Sequence, residues 1–166
     1  MQTNVLEYLE NTWERVPGKT AYANDTDAVT FKEVYDNARS IGTYLGQHGH
    51  YAEPVVVFMQ KHPNAIISFY GVVYAGCSYV PIDEEMPRHR IGLIFDSLKP
   101  RAIICDDVTE AMVREFDYQG DIYKYADICH NMDASRLKEG KLPPYLAARY
   151  RYAKQKVAEA LEVPEP

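Results

Sequence analysis

Two adjoining stretches decide the fold: residues 74–83 read YAGCSYVPID and residues 87–91 read PRHRI. Gly76 permits the left-handed turn with which many helices end. The apolar residues after it predict a short strand, with Tyr79 and Val80 packed into a sheet, and Pro81 should stop the pairing because proline has no N–H to donate. Pro87 predicts the start of the next helix, where no N–H donor is needed. A helix, a tight turn, a strand and a new helix in this order are typical of an α/β protein.

The same alternation continues on both sides of these stretches. Residues 55–59 are apolar throughout, which is typical of a strand covered on both faces. Further strands are predicted at 102–105 and 122–125, and helices at 63–74, 87–97 and 107–116. Three consecutive strand–helix–strand units predict an α/β fold with a mostly parallel sheet and helices on both faces.

The residues before this region predict helices and a hairpin. A helix over 4–16 has Asn4 as a candidate cap with Glu7 at capping-box spacing, and short strands at 20–23 and 28–29 suggest a hairpin. Thr30 and Glu33 form a second capping box at the start of a long amphipathic helix.

The predicted domain organisation is a single N-terminal subdomain over 1–166. It divides into a helical and hairpin lead-in (1–53), βα repeats (54–128), a polar loop (129–142), and a terminal helix with the beginning of a linker (143–166).

Composition and charge exclude several classes of function. The net charge of −6 gives a nucleic-acid partner no electrostatic attraction. No apolar run is long enough to span a membrane, and the first residues lack the pattern of a secretory signal. We therefore predict a cytoplasmic protein without a nucleic-acid or membrane partner. The odd number of widely spaced cysteines, Cys77, Cys105 and Cys129, predicts buried free thiols.

Charged residues collect where the parallel strands should end, at the sheet edge where ligands of α/β proteins bind. Lys61 and His62 could meet an anionic ligand, although a solvated loop is the favoured interpretation. The acidic residues at this edge could hold a divalent metal, but adjacent carboxylates mostly point apart, so no metal site is predicted. These acidic residues are Asp83, Glu84, Glu85, Asp106 and Asp107.

Other candidate sites are weaker. His48 and His50 resemble a chelating pair, but they follow a helix C-terminus, where histidine is favoured by the negative end of the dipole. The 166 residues contain no G-x-S-x-G elbow and no glycine-rich phosphate loop, so neither a hydrolase nor a Rossmann-like nucleotide binder is indicated.

The quoted stretches resemble a signature of the adenylate-forming (AMP-dependent) synthetase and ligase superfamily, K-A-G-x-A-Y-V-P-I-D-P-x-x-P-x-x-R-I. Residues 29–34, VTFKEV, are similar to its early motif L-[TS]-Y-x-E-L. Tyr74, Cys77, Ser78 and Glu84 depart from the usual residues. We expect structural roles for the residues that match the motifs, and we assign none of them to catalysis, cofactor binding or metal binding. They are Thr30, Glu33, Gly76, Tyr79, Pro81, Asp83, Pro87, Arg90 and Asp96.

The resemblance implies a parent enzyme that activates a carboxylic acid with ATP and Mg²⁺ and transfers it to a thiol of a carrier protein or CoA. The sequence of residues 79–83, YVPID, begins with an aromatic residue and is more similar to that of amino-acid-activating members than to that of fatty-acyl ones. Such members include peptide-synthetase adenylation domains and D-alanine–carrier-protein ligases. The T-S-G-S-T-G-x-P-K-G-like loop and the catalytic lysine of the superfamily are not found in this sequence. We therefore expect an N-terminal fragment that binds no cofactor by itself and whose partner is the remainder of the enzyme. The alternative is a freestanding, non-catalytic interaction module with the same fold.

Overall fold

The computed structural model describes residues 4–131, so the predicted terminal helix and most of the predicted loop before it lie outside the described residues. In chain order the elements are α1 (Val5–Arg15), β1 (Thr20–Ala23), β2 (Ala28–Thr30), α2 (Phe31–Gln47), β3 (Pro54–Phe58), α3 (Pro63–Tyr74), β4 (Ser78–Ile82), α4 (Arg88–Leu98), β5 (Ala102–Cys105), α5 (Asp107–Val113), β6 (Asp121–Lys124) and α6 (Tyr125–Asn131).

Four of these strands form a parallel sheet in the order β4-β3-β5-β6. Val56 at the centre of β3 pairs with Val80 of β4 and with Ile103 of β5. Strands β1 and β2 form a separate antiparallel hairpin, as predicted. The parallel sheet of an α/β protein is therefore confirmed.

Helices cover both faces of the sheet, because alternate residues of a strand point to opposite sides. Val55 and Val57 pack in a cluster with buried residues of α1, α2 and α3. Val56 and Phe58 pack in a second cluster with residues of α4 and α5. The two clusters explain why β3 is apolar at every position, and they confirm the predicted layers.

Polar caps fix the helix starts that the sequence predicts. The Thr30 hydroxyl accepts from the Glu33 N–H at 3.3 Å, and the Glu33 carboxylate accepts from the Thr30 N–H at 2.7 Å. The Asn4 side chain accepts from the Leu6 N–H at 2.9 Å and caps α1.

Helices α2 and α3 approach each other at two glycines. A Cβ atom added at Gly71 would lie 2.5 Å from the Cβ of Ile41, and one added at Gly42 would lie 2.5 Å from the Cβ of Tyr74. Real Cβ atoms do not approach other atoms so closely, so each helix presents a glycine where the other comes nearest. The absence of side chains at these two points allows the backbones to touch.

Aromatic rings attach α1 to this helix pair. Trp13 stacks on Tyr35 with ring centroids 4.1 Å apart and planes 11° apart, and the Arg39 guanidinium lies 5.0 Å from the centroid of the Tyr35 ring. The buried Tyr74 hydroxyl donates to the Glu10 carboxylate at 2.9 Å. Ring stacking and a polar contact therefore add to the core packing of Leu6 and Leu9 in holding α1.

Strand β4 differs from its prediction in two ways. Pro81 does not stop pairing: it lies opposite Val57, and Ile82 lies opposite Phe58. The reason is that β4 is at the edge of the described sheet, where one side of the strand has no partner and a missing N–H is tolerated. Tyr79 is 44% exposed instead of packed within the sheet, and its ring stacks on Phe69 of α3.

Several element boundaries also shift. Helix α5 ends at Val113 and not at 116. Pro87 is the residue before α4 and not its first helical residue. The strand expected at 122–125 ends at Lys124, and α6 begins at once and continues to Asn131. The side chain of Ile128 is buried in the cluster on the α2 side of the sheet and so packs α6 against it.

Candidate functional site

The carboxyl ends of the parallel strands form the edge at which an α/β sheet of this kind binds ligands. The chain passes from β3 to β4 on one side and then returns to β5 on the other side of β3. The strand order therefore reverses between β3 and β5, and the candidate crevice lies beyond Phe58 and Cys105.

Asp106 occupies this crevice. One of its carboxylate oxygens accepts from the Gln60 N–H, just after β3, at 2.8 Å. The other accepts from the Val108 and Thr109 N–H groups at 3.0 and 2.9 Å, which caps α5. The Asp106 side chain thus binds three backbone N–H groups that would otherwise be available to a ligand in the crevice.

Thr109 links the start of α5 to the end of β3. Its side chain is fully buried and its hydroxyl lies within hydrogen-bonding distance of the Phe58 carbonyl, while the Asp106 N–H donates to the same hydroxyl at 3.1 Å. Asp106, one of the acidic residues considered above as a metal ligand, is instead a helix cap that also reaches Gln60. The available signal was Asp106 itself, because aspartate is a favoured N-cap residue immediately before a helix.

Lys61 is paired with the acidic loop that follows β4. Its ammonium group lies 2.8 Å from a Glu85 oxygen and 3.5 Å from an Asp83 oxygen. The hydrogen bond to Glu85 raises the pKa of Lys61, and the Glu85 N–H, donating to Asp83, lowers the pKa of the Asp83 carboxyl. Because all three side chains are exposed, these pairs contribute little to stability. The arrangement agrees with a solvated loop, the interpretation favoured for Lys61.

His62 points away from Lys61. Its Nδ1 accepts from the Asn64 N–H at 3.1 Å and caps α3, while its Nε2 lies 3.2 Å from a carboxylate oxygen of Asp27 in the hairpin. The hydroxyl of Thr26, and then His62, hold the pKa of Asp27 below its ordinary value. Lys61 and His62 therefore bind different partners and do not converge on one anion.

The acidic residues at this edge are similarly dispersed. Asp107 pairs with Lys124, Asp106 caps α5, and Asp83 and Glu85 face Lys61. Within residues 4–131, no three His, Cys, Asp or Glu side chains lie close enough together to hold a metal ion.

The residues that match the superfamily motifs are spread over several elements. Gly76 has φ +76°, and an added Cβ would lie 2.8 Å from the Tyr51 ring, so both the backbone angle and the space require glycine. Tyr79 lies on the outer strand β4, while Arg90 and Asp96 are exposed on α4. The structure brings Asp83 near Lys61 but does not gather the motif residues into one site.

The histidine pair separates as well. His48 Nδ1 lies 2.8 Å from the Tyr44 carbonyl at the end of α2, as expected for a residue at a helix C-terminus. His50 is fully buried instead: its Nδ1 donates to Glu53 at 2.6 Å, and its Nε2 lies 2.8 Å from the Tyr123 hydroxyl. Its long-range partner on β6 could not be read from local sequence.

The three cysteines are free, as predicted; Cys77 and Cys105 are also buried as expected, whereas Cys129 is only partly buried. Burial raises the pKa of the Cys105 thiol to about 12, so this cysteine is a poor nucleophile. Every helix within residues 4–131 is too short or too polar to cross a membrane.

Comparisons with known proteins agree with this architecture. D-alanine–D-alanyl carrier protein ligase of Staphylococcus aureus is 24% identical over 133 residues, which cover 79% of this chain and 26% of the ligase. The structure of VinN with L-aspartate matches with a TM-score of 0.68 and 21% identity, over 80% of this chain and 36% of VinN. The fatty acid AMP ligase of Legionella pneumophila matches with a TM-score of 0.69 and 17% identity, over 81% of this chain and 25% of that ligase.

The chain spans about a quarter of the length of the curated ligases that it matches. The family model described as "AMP-binding enzyme" matches residues 9–152, which is most of the sequence and includes both motif regions. The parallel sheet, the motifs in their expected order and this match together lead to one conclusion: the chain belongs to the AMP-binding enzyme family.

Proposed function

We propose that this chain is the N-terminal scaffold subdomain of an AMP-forming ligase, which activates a carboxylic acid with ATP for transfer to a thiol. The observation that carries the proposal is the family match over residues 9–152, together with an alignment that covers about a quarter of a carrier-protein ligase. The partner that supplies the chemistry is the remainder of such an enzyme.

The described residues do not fit ATP and Mg²⁺. The backbone donors at the switch point already bind Asp106, and the exposed cation Lys61 is paired with Asp83 and Glu85. The carboxylates that could approach Mg²⁺ are dispersed among separate partners. A triphosphate needs a run of free N–H groups or a convergent set of cations, and this edge offers neither. The chain alone should therefore have no adenylation activity.

The motif residues support a scaffold role. Gly76 sets the turn between α3 and β4, and the Thr30–Glu33 box starts α2. In the proposed enzyme these elements form one wall of the cleft and hold its position. Catalysis depends on parts beyond them.

An amino acid is the acid that we favour. This choice depends on the form of residues 79–83, YVPID, and on the D-alanine ligase among the relatives. The structural likeness extends equally to a fatty acid AMP ligase, so the fold does not choose between these acids. The thiol acceptor is a carrier protein or CoA, and the location is the cytoplasm.

ATP–pyrophosphate exchange tests the proposal. The purified 166-residue chain should show no exchange with any amino acid or fatty acid. Exchange should appear when the chain is expressed with a polypeptide that carries the phosphate loop and the catalytic lysine from the same genome. Robust exchange by the chain alone would show that it is a complete catalyst. Failure of every such polypeptide to bind the chain or to restore exchange would favour the freestanding module.

A further inference from the structure

We propose that a cleft at the opposite end of the sheet binds a small aromatic molecule that carries both a positive and a negative charge, namely an aromatic α-amino acid. The cleft lies between the C-terminal turn of α4 and residues 116–121, which lead into β6. Its volume is about 710 Å³, which falls within the range of about 300–1,000 Å³ typical of small-molecule sites. It shares no lining residue with the switch-point crevice.

One wall of the cleft is aromatic. Phe95, from α4, contacts Phe116 with ring centroids 5.3 Å apart and Tyr118 with centroids 5.6 Å apart. Phe95 belongs to the core, whereas Phe116 and Tyr118 are half-buried and present ring surface to the cleft. Aromatic rings favour further rings in edge-to-face or offset contact, so this wall fits a planar aromatic group.

Three of the charged residues that line the cleft have polar partners within the protein. Arg101 lies 3.1 Å from Glu53, and Asp121 lies 3.3 Å from the buried His50. Asp117 accepts from the Gln119 side chain at 2.6 Å. These groups have partners within the protein and attract a ligand less than an unpaired charge would.

Asp96 and Lys99, on the α4 side of the cleft, have charges of opposite sign. Asp96 and Lys99 line the cleft, and no ion pair joins either of them to another residue of 4–131. Asp96 stands in the last turn of α4, where the negative end of the helix dipole also favours a cation. A ligand that pairs with both side chains has an ammonium group to bind Asp96 and a carboxylate to bind Lys99. It also has a ring to pack on the aromatic wall. An aromatic α-amino acid has these three groups on one carbon framework.

The cleft is formed before any ligand arrives. A Cβ at Gly120 would lie 2.2 Å from the Tyr118 hydroxyl and 2.7 Å from the Arg101 carbonyl, so a glycine lets the loop close against β5. The Asp121 N–H then donates to the Arg101 carbonyl at 2.8 Å. At the other side, Gly92 leaves the cleft open, because a Cβ there would meet only the Phe116 ring, at 3.7 Å. A preformed site loses less entropy on binding than one that must be ordered.

Titration of the full chain with L-phenylalanine, followed by amide chemical shifts and calorimetry, tests the proposal. We expect saturable binding with a dissociation constant on the order of 1 mM, with shifts at Gly92, Lys99 and Gly120. N-acetyl-phenylalanine amide, which has the ring without either charge, should bind at least about tenfold more weakly. Equal binding of the two compounds would mean that the site accepts an aromatic residue of a peptide, and would overturn the proposal.

Three variants and a control locate the site. Asp96→Asn and Lys99→Asn should each weaken binding about fivefold, and asparagine suits the left-handed backbone of Lys99. Gly92→Leu should abolish binding by filling the cleft, and it should not destabilise the helix because leucine is the better helix former. Lys19→Asn, a change at a remote exposed lysine, should leave binding unchanged. Absence of saturable binding, or equal affinities for all four variants, would overturn the proposal.

Discussion

Replacing Asp106 should destabilise the protein more than replacing any other acidic residue at the carboxyl edge of the sheet. In Asp106→Ala, α5 loses its cap, which typically costs about 0.5–2 kcal/mol. The Gln60 N–H also loses its acceptor, at about 0.5–1.5 kcal/mol. Together these losses predict a decrease of about 1–3.5 kcal/mol in the free energy of unfolding. With a urea slope of about 2 kcal/mol per molar, the unfolding midpoint should fall by about 0.5–1.8 M.

Two further variants separate the contributions. Asp106→Asn keeps one accepting oxygen, which can cap α5 or accept from the Gln60 N–H but cannot do both. It should therefore lose about 1 kcal/mol. Asp107→Ala is the matched control: this neighbour is exposed and its ion pair with Lys124 is solvated, so the cost should not exceed about 1 kcal/mol. Urea unfolding followed by circular dichroism measures all three. If Asp106→Ala costs no more than Asp107→Ala, Asp106 does not close the crevice in the manner described.

Three other outcomes follow from the structure. Gly71→Ala should destabilise the protein by about 1–3 kcal/mol, because the added Cβ forces α2 and α3 apart. Gly18→Ala, at a position with open space around it, is the control and should change stability by less than about 0.5 kcal/mol. Equal effects of the two variants in thermal unfolding would contradict the close approach of the helices. The Thr30 N–H holds the pKa of the Glu33 carboxyl below its usual 4.5, so the stability from this contact is present above pH 4.5 and is lost as pH falls through the lower folded pKa. Unfolding measured between about pH 6 and about pH 3 should therefore show a shallower loss of stability in Glu33→Gln than in the unaltered chain, and parallel profiles would exclude the effect. The buried Cys105 thiol should resist a thiol reagent in the native state and react after unfolding in urea; rapid native reaction would show that β5 opens readily.

Local sequence predicted the elements well because their signals are local. The capping pair Thr30 and Glu33 lies within one helical turn, and the apolar run at β3 reflects burial on both faces of a sheet. Gly76 could be assigned a left-handed angle because glycine tolerates it at a helix end.

The errors arose where a residue's role depends on strand order. Pro81 is tolerated within β4, and Tyr79 is exposed, because β4 lies at the edge of the described sheet. His50 is buried because β6, more than seventy residues later in the chain, brings Tyr123 to its ring. Asp106 reaches Gln60 only because β5 lies directly beside β3. Neighbours of this kind are set by topology, which a single sequence does not display.

The stacked pair Trp13 and Tyr35 gives this protein a built-in optical probe. Trp13 is the single tryptophan in the sequence, and its indole lies flat against a ring of α2. Its fluorescence therefore reports whether α1 is docked on α2. If α1 detaches before the sheet unfolds, the emission will shift while the far-ultraviolet signal of the remaining helices stays constant, and no added label is needed to see it.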